Sequence, residues 1–476
     1  MKILNCILIL LSLVVIRCVN LNSGQSVSKT VDIDLFDDLI SYQYLYKSSK
    51  VKSGLTVETY EIKYRVDGLM ITGYIHKPIG ELKEYPGLIY YRGENKDIDN
   101  IERSELEEQR NIAGTGYVVL SSQLRGNIFS QGYDRTDGAD LNDILKLIEI
   151  AKCLTFVSSQ NLDLYDASKA NETAHEIAFL NDVIYSNSTR CYQAQQQKVY
   201  NHTIQQEVFN DLISYQYLYM SGNMINGINI ETYEIKYRVN GLMITGYISL
   251  PPSDENIYPA IIYCRGGNRD FGTFDRGQLE IQRELASAGF VVLSSQLRGN
   301  IFSQGTDEMG GSDLNDILQL IEIAKKLPFV QSQNIGIHGV SRGGTNAYQI
   351  SRISDDISSV SVIGASVDIR DSHSYRPDKY TRVNLPLIGD TIEFKLEYDK
   401  RSPILWVEEL NEPLLILHGT DDWRSKIKFV ERIIPKLEKH HKIFEHHFIE
   451  GGSHGLGTHR DLRDSLIAQW HTKHLQ

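Results

Sequence analysis

The stretch NIGIHGVSRGG, residues 334–344, decides the fold. Its first half is a short apolar run of the kind that fills a buried strand. Its second half is Gly339-Val340-Ser341-Arg342-Gly343, followed by Gly344, and from Arg342 to Ile353 apolar residues recur at helical spacing. A strand that turns straight into a helix through G-x-S-x-G holds its serine on a tight bend at the sheet's edge. The five-residue pattern alone is common by chance, so the flanking strand and helix carry the reading. Ser341 is then a candidate nucleophile at a helix N-terminus, where developing negative charge is favoured.

Working outward, short apolar strands alternate with amphipathic segments. YPAIIYC (258–264), FVVLSSQ (290–296), VSVIGASV (360–367), PLLILHG (413–419) and FEHHFIE (444–450) read as strands. Residues 276–288, 313–327, 427–440 and 459–473 read as helices. This order predicts an α/β fold: a mostly parallel sheet with helices on both faces. Residues 231–249 alternate, with Asn240-Gly241 between two β-rich runs, and predict an antiparallel hairpin leading into the sheet.

A nucleophilic serine needs a base, and the base an orienting carboxylate. After PLLILHG come Asp421 and Asp422, beyond a strand's carboxyl end. After FEHHFIE comes His454 within Gly-Gly-Ser-His-Gly, a loop that leaves the ring reachable. Ser, Asp, His is the chain order of hydrolases built on this elbow. The oxyanion hole needs two backbone N–H groups. One is expected from Arg342 and the other from the loop Arg265-Gly266-Gly267-Asn268, with Gly266 and Gly267 as its candidates. Arg265 and Arg298 are candidates for the substrate cleft. The bland alternative for Arg298 is a structural partner for a nearby acid such as Asp307 or Asp313.

The chain is also internally repeated. FDDLISYQYLY at 36 recurs as FNDLISYQYLY at 209, and ETYEIKYRV, GLMITGYI, VVLSSQLRGNIFSQG and DLNDIL each occur twice. The offset is 173 residues, without a gap, from Phe36/Phe209 to Ser168/Ser341, and about 80 of the 133 aligned pairs are identical. At that offset Gly339, Arg342, Gly343 and Gly267 face Asp166, Lys169, Ala170 and Glu94. The first copy is therefore expected to be catalytically dead. The divisions are a leader at 1–20, a truncated copy of the hydrolase N-terminal half at 31–168, a linker at 169–206, and a complete copy at 207–476.

The leader, Met1-Lys2 then an apolar run from Ile7 to Ile16, has signal-peptide character and predicts export. Lipidation at Cys18 is the weaker variant, because Arg17 precedes it. The 476 residues carry 49 basic and 61 acidic side chains, net −12, which argues against a nucleic-acid-binding surface. There is no dinucleotide or phosphate-loop motif and no metal-type spacing of Cys or His. No cofactor or metal is expected, and the expected partner is a peptide or small acyl substrate.

Residues 209–476 resemble the catalytic domain of the prolyl oligopeptidase family of serine peptidases, within the α/β-hydrolase superfamily. The carrying marks are RGGN at 265–268, LRGN and SQG at 297–305, GVSRGG, RSPILWVEEL at 401–410, LHGTDDW and GGSHGL. The resemblance implies Ser341 as nucleophile, His454 as base and Asp422 as acid, with Asp421 the fallback, and acyl-enzyme hydrolysis of peptide bonds. Larger members carry an N-terminal β-propeller. No run of blade repeats occurs in this sequence, so a proline or dipeptide preference does not carry over. An ester hydrolase on the same fold, and a non-catalytic binding or scaffold protein, are the alternatives.

Overall fold

The computed structural model describes residues 39–48, 54–91, 101, 103–126, 130, 141–166, 212–217, 227–251, 257–274, 276–300 and 302–475. All lie in one compact unit, Leu35–Gln476. The leader, the linker, Ser168 and Glu94 fall outside the described residues.

The first repeat builds a six-stranded sheet from β1 (Leu39–Ser48), β2 (Thr56–Val66), β3 (Leu69–Ile79), β4 (Tyr85–Tyr91), β5 (Val118–Ser122) and β6 (Val157–Asp166). Their spatial order is β1-β2-β3-β5-β4-β6. The second repeat sets out the same series as β7 (Leu212–Tyr217), β8 (Glu231–Val239), β9 (Leu242–Leu250), β10 (Tyr258–Cys264), β11 (Val291–Ser295) and β12 (Val330–Val340). It continues with β13 (Ile357–Ile363), β14 (Leu414–Gly419) and β15 (Phe444–Ile449) to form a nine-stranded sheet, β15-β14-β13-β12-β10-β11-β9-β8-β7. The sheet is mixed: β7, β8, β9 and β11 pair antiparallel, while β11-β10-β12-β13-β14-β15 run parallel. Among the described residues, strands of the first repeat do not join the second sheet.

Local chemistry explains the boundaries. Asn240 (φ 51°) and Gly241 (φ 80°) both take positive φ, the two-residue turn that matches strand twist, and Asp67-Gly68 does the same in the first repeat. β13 stops at Ile363 and not at Val367, because Gly364 turns the chain at φ 58°. The helix expected over 427–440 is broken into Ile427–Val430, a 3₁₀ turn Glu431–Ile433, and Ile434–Lys439. Pro435 lacks the N–H that a continuous helix would need there.

The expected hairpin is present, and β8 is buried on both faces. Its charged side meets β2. Glu61, Lys63, Glu234 and Lys236 form a closed set of four pairs at 3.2–3.6 Å, with all four side chains 2–5% exposed. Across the repeats Glu61 pairs with Lys236 and Lys63 with Glu234, each residue meeting the counterpart of its own ion-pair partner, so the contact is reciprocal. Tyr74, Ile101 and Leu106 of the first repeat share an apolar cluster with Tyr247, Phe274 and Leu279 of the second. Burial pushes the Glu61 carboxyl up, but the charges of Lys236 and Lys63 outweigh it and hold it below its ordinary value.

Candidate active site

β12 delivers Ser341 at φ 57°, ψ −118°, a strained conformation for a residue with a side chain. Its N–H donates to the Ile363 carbonyl at 2.7 Å, which ties the bend to β13. The bend needs glycine on both sides. A Cβ at Gly339 would stand 2.2 Å from the Gly343 oxygen, and one at Gly343 would stand 1.9 Å from the Cys264 oxygen. The helix Arg342–Ile353 begins immediately after.

Asp422 follows β14, and His454 lies in the loop after β15. His454 Nδ1 and Asp422 Oδ2 are 2.7 Å apart. The other carboxylate oxygen accepts from the N–H groups of Arg424 (2.8 Å) and Ser425 (2.9 Å). Burial would raise the Asp422 carboxyl. The hydrogen bond and charge of His454 and the Ser425 N–H prevail and hold it below the ordinary carboxylate range. Asp421 is exposed and its side chain takes no part. Gly364 packs against the pair: a Cβ placed there would stand 3.1 Å from His454 Nδ1 and 3.2 Å from Asp422 Oδ2. Ser341 and His454 line one cavity of about 350 Å³.

The oxyanion loop is held from beneath. Gly266 abuts the nucleophile: a Cβ there would be 3.4 Å from that of Ser341. Gly267 (φ 74°) leaves no room for a side chain, because its Cβ would stand 1.9 Å from the Phe271 oxygen. The buried Arg265 guanidinium donates to the carbonyls of Gln296, Gly266, Phe271 and Arg269. Burial, then the nearby Arg342 charge, brings Arg265 down to about 9. The Arg342 side chain is buried between Asp307 (2.7 and 2.8 Å) and Asp313 (2.6 Å), and donates to the Gly267 carbonyl at 3.1 Å. Asp307 in turn accepts from the Arg269 N–H at 2.6 Å. Elbow and loop are thereby fixed to one another by a single ionic knot.

Two cleft candidates are corrected by this geometry. Neither Arg265 nor Arg298 lines the cavity. Arg265 is consumed by loop carbonyls. Arg298 is paired with Asp316, Nη2 to Oδ1 at 2.7 Å, a partner the sequence reading had not named. The first repeat holds Arg125 and Asp143 in the same bond at 2.7 Å, although its sequence lacks the elbow glycines, which points to a structural pair. Conversely, Arg376, Lys379 and Arg424 line the cavity and were not singled out from sequence. No local pattern marks the first two. Among the described residues, no group of His, Cys, Asp and Glu side chains is arranged to hold a metal ion. No helix among them is long and apolar enough to cross a membrane.

A strained serine beside a carboxylate-bound histidine is the arrangement of a nucleophilic hydrolase. Comparison with known proteins narrows the class. Residues 279–476 match the model of the prolyl oligopeptidase family. The uncharacterized peptidase YtmA of Bacillus subtilis is 27% identical over 218 residues, 46% of this chain and 83% of that protein. Dipeptidyl-peptidase 5 of Porphyromonas gingivalis is 28% identical over 200 residues, but only 28% of its length is spanned. The chain also spans 39% of the peptidase YuxL of B. subtilis, at 27% identity. Among solved structures, the acylaminoacyl peptidase of Pyrococcus horikoshii is similar at 21% identity, covering 52% of this chain and 42% of that one, with a TM-score of 0.46. Together the family match and the peptidase relatives support a serine-type peptidase.

Proposed function

We propose that the chain hydrolyses peptide bonds through an acyl-enzyme formed on Ser341. The observation that carries this is the joint geometry of the elbow and the Asp422–His454 pair around one cavity. Ser341 Oγ attacks the scissile carbonyl carbon while His454 Nε2 takes its proton, and the C–N bond then breaks as His454 protonates the leaving amine. Asp422 holds Nδ1–H and steadies the imidazolium. The N–H of Arg342, with the Gly266–Gly267 backbone, is assigned to the developing oxyanion. Water enters by the reverse proton path and frees the acid. The first repeat is read as a duplicate that has lost the site and supports the second through the β2–β8 contact. The leader supports export.

The test compares kcat/KM on matched peptide and short-chain ester panels, for the wild type and for Ser341→Ala. Peptide turnover that falls roughly 10⁴- to 10⁶-fold in the variant is expected. Ester turnover without peptide turnover would move the assignment to an esterase. Activity that survives Ser341→Ala would end it.

A further inference from the structure

The catalytic cavity carries more positive charge than its own acids neutralise. Arg342, Arg376, Lys379, Arg424 and Arg463 line it, against a single lining carboxylate, Asp464. Arg342 is committed to Asp307 and Asp313, and Arg463 to Asp464 at 2.7 and 2.9 Å. Asp422 is committed to His454. That leaves Arg376, Lys379 and Arg424, none of which has a carboxylate within 4.0 Å among the described residues.

Their surroundings hold them in place without neutralising them. Arg376 donates from Nη1 to the Arg424 carbonyl at 3.2 Å and lies 5.2 Å from the Trp423 ring centre. Its Nε is buried with no acceptor. Arg424 lies 5.3 Å from the Trp423 ring and 5.8 Å from that of Phe271. Lys379 stands at the end of Pro377–Lys379, where the helix widens into the π turn Tyr380–Asn384. Such widened turns are rare and recur at functional sites. Lys379 and Val383, one turn apart, both reach the cavity wall. Burial, then the charge of Arg376, brings the Lys379 ammonium down to about 8, as expected of cations crowded together without a counterion.

Adjacent, partly desolvated cations are unfavourable unless an anion completes the site. A buried N–H with no acceptor, on a side chain that lines the cavity, asks for the same thing. On the reading of Ser341 as nucleophile, we infer that this peptidase takes substrates bearing a carboxylate next to the scissile bond, bound by Arg376 and Lys379. The carboxylate comes either from an acidic side chain or from a free peptide C-terminus.

The experiment uses the full chain and two sets of matched peptides. One set pairs Glu with Gln, and Asp with Asn, at the residue that supplies the scissile carbonyl. The other pairs a free C-terminal carboxylate with its amide. In one set the anionic member should have kcat/KM roughly tenfold or more above its neutral twin, as a charge-assisted hydrogen bond provides, and that set identifies the source. Arg376→Gln combined with Lys379→Gln should bring the ratio close to one, while Lys379→Arg should keep it. Fluorophosphonate labelling of Ser341, which needs no anionic group, monitors the folded site in every variant. Neutral twins cleaved as well as anionic ones in both sets, with wild-type labelling intact, would overturn the inference and leave the proposed chemistry standing. Absence of wild-type labelling would overturn both.

Discussion

The two repeats share most of their sequence over 133 positions and differ in almost everything that matters for chemistry. Each lays its first six strands in the same order, each turns its hairpin on two positive-φ residues, and each locks its fifth strand's exit with an Arg–Asp pair at 2.7 Å. The second repeat continues past its sixth strand into an elbow with glycine on both sides, where the first repeat's sequence has Asp166 and Ala170. The lesson is that the scaffold and the site are separable. Tyr64 and Tyr237 each bond the serine at the end of the strand two places away in the sheet, Ser122 and Ser295, at the same 2.7 Å, so the core is equally well kept in both repeats. Among the differences are the positions where a Cβ or a charge would stand beside a reacting serine: Gly339, Gly343 and Gly267 face Asp166, Ala170 and Glu94.

The largest expected effect on stability tests how the two halves depend on each other. Glu61→Ala leaves Lys63 and Lys236 buried beside one remaining carboxylate, and should cost about 3–5 kcal/mol of unfolding free energy. By the reciprocity of the contact, Glu234→Ala should cost about the same. Denaturant unfolding of both variants checks this. A large loss in one and none in the other would break the reciprocity.

A smaller effect comes from transplanting the first repeat's residue into the second. Gly339→Asp introduces the side chain that stands at Asp166, with its Cβ 2.2 Å from the Gly343 oxygen. The elbow must shift, and kcat/KM should fall at least about 10²-fold through misplacement of Ser341 alone. Wild-type kinetics in this variant would show that the glycine is not what separates the repeats.

The gentlest probe is acid. Glu61 is held below its ordinary value of 4.5, so its contribution is fully present above that pH and is lost as pH falls through the lowered folded value. Stability measured between about pH 5 and pH 2 should therefore decline more steeply in the wild type than in Glu61→Ala. Parallel curves would contradict the buried ionic contact.

Much of this was legible in the sequence. The elbow at 339–343, the order Ser341, Asp422, His454, and the hairpin at Asn240-Gly241 each carry a local physical signature, because strained turns demand glycine and two-residue hairpins demand positive φ. Choosing Asp422 over Asp421 needed family resemblance, since both follow the same strand. Arg265 and Arg298, both cleft candidates by sequence, are held by scaffold groups, and for Arg298 this is the structural alternative with Asp316 as partner. A buried arginine that ties carbonyls together and one that faces a substrate look alike in a string of letters. The charged face of β8 was hidden likewise: nothing in the strand's own letters shows that a second copy of the repeat covers it. Arg376 and Lys379 lie in a segment of short, irregular helical turns between β13 and β14, where no periodicity indicates direction.

The central claim is that one of the two aligned serines, and only one, is a nucleophile. The most direct measurement is fluorophosphonate labelling of the full chain followed by peptide mass mapping. A single adduct on Ser341, absent in Ser341→Ala and undiminished in Ser168→Ala, is the predicted result. An adduct on Ser168, or none on Ser341 in folded protein, would contradict it.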